Sequence, residues 1–137
     1  MELLRAHGID PAGKRVTVVG RSLVIGRPAA LLLTRADATV TLCHRKTPDL
    51  AARCRDADIL LAAAGAPGLI TPACVRPGQI VLDAGATALP DGTLRGDVAP
   101  AAAAIAICTP VPGGIGSVTT ALLLRHTVQA AENLRQI

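Results

Sequence analysis

The sequence predicts a doubly wound α/β fold, a mostly parallel sheet of about five strands with flanking helices on both faces. Three observations predict it. Short β-branched or aliphatic runs alternate with Ala- and Leu-rich segments along the chain. Each run is continuously apolar, as strands covered on both faces are. Glycines and prolines gather after the runs rather than within them, where they punctuate loops. Right-handed crossovers then wind the chain over both faces of the sheet.

The elements follow in order. Residues 2–7 read as a helix, closed by Gly8 in a left-handed conformation. Arg15-Val16-Thr17-Val18-Val19 is the first strand. Residues 28–36 form a helix with Pro28 in its first turn, where a missing N–H costs nothing. Thr39-Val40-Thr41-Leu42-Cys43 is the second strand. Thr47 caps, and Pro48 opens, a helix reaching residue 56. Ile59-Leu60-Leu61-Ala62-Ala63 is the third strand, and Thr71-Pro72 starts a short helix. Gln79-Ile80-Val81-Leu82 and Ile105-Ala106-Ile107-Cys108 complete the sheet. Ser117 caps a long last helix, residues 118–135.

Composition excludes several classes. The 137 residues suit one domain, able to bury roughly two thirds of its unfolded surface. A chain 50% hydrophobic and 18% charged is not disordered. No apolar run approaches the roughly 18 residues of a spanning helix, so no membrane is expected. Without Phe, Tyr or Trp the chain has no stacking platform for single strands. Its 14 Lys and Arg against 10 Asp and Glu are scattered rather than striped, so nucleic acid is not an expected partner. Cys43, Cys54, Cys74 and Cys108 form no C-x-x-C pair, and no metal site is expected. Cys43 and Cys108 read as small core residues. Free thiols and an opening Met1-Glu2-Leu3-Leu4-Arg5, without an export signal, predict a cytoplasmic location. His7 and His126 read as surface residues. No Ser-His-Asp or Cys-His spacing marks a catalytic residue in this chain.

Function is expected beyond the carboxyl ends of the strands, at the switch point of strand order. The loops there are residues 20–26, 44–47, 64–68, 83–87 and 109–116. In Gly20-Arg21-Ser22-Leu23-Val24-Ile25-Gly26, glycine lets backbone approach a ligand closely, and the next helix start offers N–H groups to an anion. A tight turn of packing glycines reads the same way. An NAD-binding unit places a carboxylate about 20 residues past the first glycine. Here the second strand ends in Cys43-His44-Arg45-Lys46-Thr47 instead. Arg45, with Arg21 and Lys46, suits a phosphate, which favours NADP over NAD; an ordinary basic turn is the alternative. Thr109-Pro110-Val111-Pro112-Gly113-Gly114-Ile115-Gly116-Ser117 exceeds the roughly 2–6 residues of most such connections. It reads as a wall for a flat ring or carboxamide, or as a rigid connection. Asp83 either orients a ligand or bonds neighbouring backbone, and Asp97 reads as a turn residue.

Gly20-Arg21-Ser22, Cys43-His44, Asp58-Ile59-Leu60, Pro77-Gly78, Gly96-Asp97-Val98 and Thr109 through Gly116 occur in an order that resembles one family. It is the carboxy-terminal NADP-binding, Rossmann-like domain of the bifunctional methylenetetrahydrofolate dehydrogenase/cyclohydrolases. The resemblance runs from Glu2 through the last helix. It implies that Gly20, Arg21, Ser22, Ile25 and Gly26 surround the cofactor phosphates, with His44 and Arg45 near the adenosine phosphate. Ala64, Gly65, Gly85 and Ala86 would line the nicotinamide half. Pro112, Gly113, Gly114 and Thr119 would close the cleft beside nicotinamide and folate. It also implies hydride transfer from methylenetetrahydrofolate to NADP, then hydrolysis of the methenyl product to formyltetrahydrofolate.

In that family an amino-terminal domain supplies the folate cleft and the catalytic Lys. Residues 1–10 resemble the interdomain helix, and neither Lys14 nor Lys46 stands in a matching context. The resemblance therefore implies a single cofactor-binding domain, residues 1–137, inactive alone and reaching folate through a missing partner domain. It implies a homodimer as well. Two departures stand out: Gly116-Ser117-Val118-Thr119 replaces Gly-Pro-Met-Thr, and Asp83-Ala84-Gly85-Ala86-Thr87 replaces Asp-Val-Gly-Ile-Asn. The loss of a branched chain at Ala86 loosens the nicotinamide contact. A stand-alone nucleotide-binding or interaction module that lost the chemistry, or another dehydrogenase with a similar nucleotide domain, are the alternative readings.

Overall fold

Val16, Thr17, Val18 and Val19 sit on an inner strand of the sheet because β-branched side chains pack well on a pleated surface buried from both sides. The computed structural model describes residues 1–135. Its elements are α1 (Glu2–Ala6), β1 (Arg15–Val19), α2 (Gly26–Thr34), β2 (Thr39–Cys43), α3 (Leu50–Asp56), β3 (Ile59–Ala62), β4 (Ile80–Asp83), β5 (Thr87–Ala88), β6 (Leu94–Arg95), α4 (Pro100–Ala103), β7 (Ile107–Cys108) and α5 (Ile115–Leu134). A 3-10 turn spans Pro72–Cys74. The five-stranded sheet has the order β2-β1-β3-β4-β7, and all four pairings are parallel. In the register, Val16 lies beside Val40 and Ile59, and Ala62 beside Val19 and Asp83.

Strand alternation divides the core between two faces. Val16, Val18, Ile59 and Leu61 face Leu4 of α1, Leu33 of α2 and Ile115 of α5. Val19, Leu60, Ala62 and Val81 face Cys54 of α3, Cys74 of the 3-10 turn and Ala102 of α4. Thr17 is a polar member of this core, and its hydroxyl donates to the Arg53 carbonyl at 2.9 Å. Leu60 is fully buried; truncating such a residue to Ala costs about 2–5 kcal/mol. At the amino ends of the strands Arg15 pairs with Asp56 and Asp58, and Arg76 also reaches Asp58. These pairs are largely exposed, where an ion pair contributes at most about 1 kcal/mol. The Arg15 backbone N–H and guanidinium hold the Asp58 carboxyl below the usual carboxylate range.

The parallel five-stranded sheet agrees with the expectation, but edge strand β2 is largely exposed rather than covered on both faces, and several boundaries differ. α2 begins at Gly26, two residues before Pro28, because Ser22 Oγ accepts the N–H groups of Ile25 and Gly26 at 3.1 and 3.4 Å. Thr47 does not cap α3. Its hydroxyl accepts the His44 N–H at 2.9 Å, and Asp49, accepting from Ala52 N–H, is the cap. Ser117 does not cap α5, which starts at Ile115 with Gly114 before it. Ile105 and Ala106 are turn rather than strand. The β5–β6 hairpin and α4 had no pattern long enough to show in the sequence. No helix among the described residues is long and apolar enough to cross a membrane.

Candidate functional site

Sheet order sets the loops in a line at the carboxyl ends: residues 44–47 after β2, then 20–25 after β1, 63–68 after β3, 84–86 after β4 and 109–114 after β7. From β1 the chain crosses to β2 on one side and later to β3 on the other, so the switch point lies between β1 and β3. Gly20 stands there. Its N–H donates to the Cys43 carbonyl at 2.9 Å, and its φ is +113°. A Cβ on Gly20 would collide with the Ala63 carbonyl, and one on buried Gly26 would collide with the Gly20 carbonyl. The turn is thus drawn flat against the sheet, leaving backbone where a side chain would otherwise stand.

Of the cations expected near a phosphate, Arg21 lies in this turn and Arg45 and Lys46 in the neighbouring turn after β2. Arg21, Arg45 and Lys46 are exposed, and among the described residues none of them pairs with a carboxylate. His44 is half-buried. Its Nδ1 accepts the Lys46 N–H at 3.2 Å, which locks the basic turn and puts the ring proton of the neutral form on Nε2. Ser22 spends its lone pairs on α2, leaving its O–H as the group able to reach outward.

A cleft of about 830 Å³ opens between α2, the post-β4 loop and the proline-glycine loop, and it is lined mostly by apolar groups. It falls in the range of about 300–1,000 Å³ usual for small-molecule sites. It brings together Ile25, Gly85, Ala86, Pro112, Gly113, Gly114 and Thr119. Gly20, Arg21, Ser22, Gly26, His44, Arg45, Ala64 and Gly65 lie outside it, along the neighbouring strand ends. Thr119 Oγ1 donates to the Ile115 carbonyl at 2.9 Å, so its hydroxyl is committed to its own helix. Ser117 lines the cleft, as does the proline-glycine loop, which contains a cis Val111–Pro112 bond.

Two buried carboxylates organise this end of the sheet. Asp83, 4% exposed, accepts the N–H groups of Gly85, Asp97 and Val98 at 2.9, 3.0 and 2.9 Å. Asp97, fully buried, accepts those of Ala64, Gly65 and Ala66 at 2.6, 3.0 and 2.7 Å. Of the two readings open for Asp83, the structure takes the backbone-bonded one. Asp97 is more than a turn residue, because it ties the segment after β6 to the loop after β3. The backbone leaves room for both acids: a Cβ on Gly85 would strike Asp97, and one on Gly96 would strike Asp83. Both glycines are needed to let a carboxylate approach backbone.

The chain matches the model of the tetrahydrofolate dehydrogenase/cyclohydrolase NAD(P)-binding domain over residues 1–135. It is 59% identical over 131 residues to the bifunctional protein FolD 1 of Rhodococcus jostii, covering 94% of this chain and 44% of that protein. It is 54% identical over 132 residues to the bifunctional protein FolD of Chloroflexus aurantiacus, covering 95% of this chain and 46% of that one. Among solved structures, the Campylobacter jejuni bifunctional enzyme FolD superposes with a TM-score of 0.92 at 43% identity, over 97% of this chain and 48% of its own. The Trypanosoma brucei methylenetetrahydrofolate dehydrogenase-cyclohydrolase, solved with NADP cofactor and inhibitor, gives 0.91 at 41% identity, over 100% of this chain and 50% of its own. The chain spans about half the length of the curated relatives it matches. It belongs to the tetrahydrofolate dehydrogenase/cyclohydrolase family, as a member of that family's NAD(P)-binding domain.

Proposed function

We propose that this chain is the NADP-binding domain of a methylenetetrahydrofolate dehydrogenase/methenyltetrahydrofolate cyclohydrolase, with the folate cleft and the catalytic Lys on another domain. The observation that carries this reading is a side-chain-free turn at Gly20 with Arg21 in it and Arg45 on the adjacent loop, neither paired with a carboxylate among the described residues. Elsewhere on the sheet, at the amino ends, Arg15 and Arg76 are neutralised by carboxylates. Cations left unpaired at the switch point suit an anion that arrives with the ligand.

The residues fit a dinucleotide laid along the line of loops. Arg45 and Arg21 would hold the phosphate on the adenosine ribose, with the His44 Nε2–H beside them. The Gly20 turn, with Ser22, Ile25 and Gly26 at the start of α2, would take the pyrophosphate. Ala64, Gly65, Gly85 and Ala86 would flank the nicotinamide nucleoside, and Pro112, Gly113, Gly114 and Thr119 would wall the cleft on the folate side. NADP supplies a hydride acceptor when bound, while the protein positions it and keeps water from one face. Lys14 precedes β1, at its amino end, and Lys46 lies on the basic turn after β2, which supports the reading that the catalytic Lys is on another domain.

The uncovered apolar residues of α5, among them Leu123, Leu124 and Val128, support a further domain packed on that helix. We read residues 1–10 as part of the link to it, and the assembly as a homodimer on the family resemblance. The four free cysteines accord with a reducing compartment, which we take to be the cytoplasm.

The test is an assay of methylenetetrahydrofolate oxidation with NADP, for this chain alone and with an amino-terminal domain of a relative supplied. The reading expects no turnover alone and measurable turnover of the mixture. Turnover by the chain alone would contradict it. Tight NADP binding with no turnover in any mixture would favour the module that lost its chemistry.

A further inference from the structure

We infer that Asp97 is a positioning residue for the cofactor: it turns the loop after β3 into an acceptor surface for the nicotinamide nucleoside. This rests on the cofactor reading above. The three N–H groups of Ala64, Gly65 and Ala66 all point at the Asp97 carboxylate. In a trans peptide the carbonyl of the preceding residue points the opposite way. The Ala63, Ala64 and Gly65 carbonyls therefore face away from Asp97. Ala63 confirms the direction, because its carbonyl is the group that lies against Gly20 at the switch point.

The two remaining carbonyls have no such neighbour. Ala64 and Gly65 are exposed, and neither carbonyl accepts a backbone hydrogen bond from another described residue. Two acceptors without a partner among the described residues repel phosphate oxygens and suit hydroxyl or amide donors. The sheet order says which donors these are. Arg45 follows β2, Gly20 follows β1 and Gly65 follows β3, so the loop lies past the pyrophosphate turn on the side away from Arg45. That side takes the second nucleoside, whose ribose hydroxyls and carboxamide are donors.

The carboxylate is what makes the orientation single-valued. A free loop containing Gly65, whose φ is +64°, has several ways to turn its peptides. Asp97 is itself fixed, because its own N–H donates to Asp83. The loop is thus aimed by a buried chain of two carboxylates that never touch the ligand.

Asp97→Asn tests this. An amide keeps one acceptor oxygen and replaces the other with a donor that opposes an N–H of the loop. We expect NADP affinity to fall about tenfold, the effect of losing roughly one charge-assisted bond, while affinity for adenosine 2′,5′-bisphosphate stays within about twofold of the parent. The bisphosphate carries only the Arg45 and Gly20 half. Equal weakening of both ligands, or of neither, would overturn the inference. Failure of the parent chain to bind either ligand would instead overturn the cofactor reading, and this inference with it. If the variant does not fold, amide resonances of the parent decide. Those of Ala64, Gly65 and Ala66 should shift with NADP and stay put with the bisphosphate; indifference to NADP would refute the role.

Discussion

The carboxylate of Asp83 accepts the backbone N–H of Asp97 at 3.0 Å, so one buried acid fixes the chain position of another. Between them they gather six backbone N–H groups from three segments. Hydrogen bonds to a charged acceptor contribute about 1.5–3 kcal/mol each, and orphaned buried donors cost comparably. Asp83→Ala should therefore lower unfolding stability by at least about 3 kcal/mol. Thr109→Val removes only the hydroxyl that accepts the Asp83 N–H at 2.8 Å and should cost about 1 kcal/mol. Urea titration of the two variants checks the ranking; a Thr109 variant as unstable as the Asp83 variant would refute it.

Gly20 and Gly78 both have positive φ, +113° and +74°, yet they differ in what surrounds them. A Cβ at Gly20 meets backbone, whereas one at Gly78 meets nothing within 4 Å. Gly78→Ala should cost about 1–2 kcal/mol for the left-handed conformation alone. Gly20→Ala adds a clash with the Ala63 carbonyl just past β3 and should cost more than about 4 kcal/mol, or prevent folding. Circular dichroism with urea midpoints separates the two. A well-folded Gly20→Ala chain would show that β1 and β3 do not approach as described.

Burial, then the neighbouring Cys74 and Cys43 thiols, push the Cys54 thiol up to about 12. Burial, then nearby Asp83, push Cys108 up to about 11. A group whose folded pKa exceeds its unfolded value adds stability below the unfolded value, near 9.0, and loses it as pH rises through the folded one. Stability should therefore decline from about pH 9 towards pH 12. Cys54→Ala should flatten that decline while lowering stability at neutral pH. Iodoacetamide at pH 8 should leave Cys54 and Cys108 unmodified in the folded chain and label both in denaturant. Rapid labelling of the folded chain would show that the core described around α3 is open.

The first two strands, inner β1 and edge β2, were readable because each is a β-branched run bounded by punctuation. β1 was found to the residue, and β2 likewise. Helix starts were misread where a side chain had two possible partners. Thr47 could cap α3 or accept from His44, and only the fold of the basic turn decides between them. The Gly20 turn and the proline-glycine loop were legible as glycine and proline chemistry. The Asp97 contacts were not. They link residues 31 to 33 positions apart, and no local spacing encodes such a pairing. Gly85 was singled out for the cofactor, while its tightest packing constraint is the approach of Asp97.

The Gly20 turn, with Arg45 on the neighbouring loop after β2, is expected to receive NADP. Isothermal titration of the chain with NADP and with NAD, repeated on Arg45→Ala, measures this directly. A charge-assisted contact to the extra phosphate corresponds to about 1–3 kcal/mol, so NADP should bind roughly 5- to 150-fold more tightly than NAD. Arg45→Ala should remove most of that preference and leave NAD affinity nearly unchanged. Equal binding of the two cofactors by the parent, or binding of neither, would contradict the account.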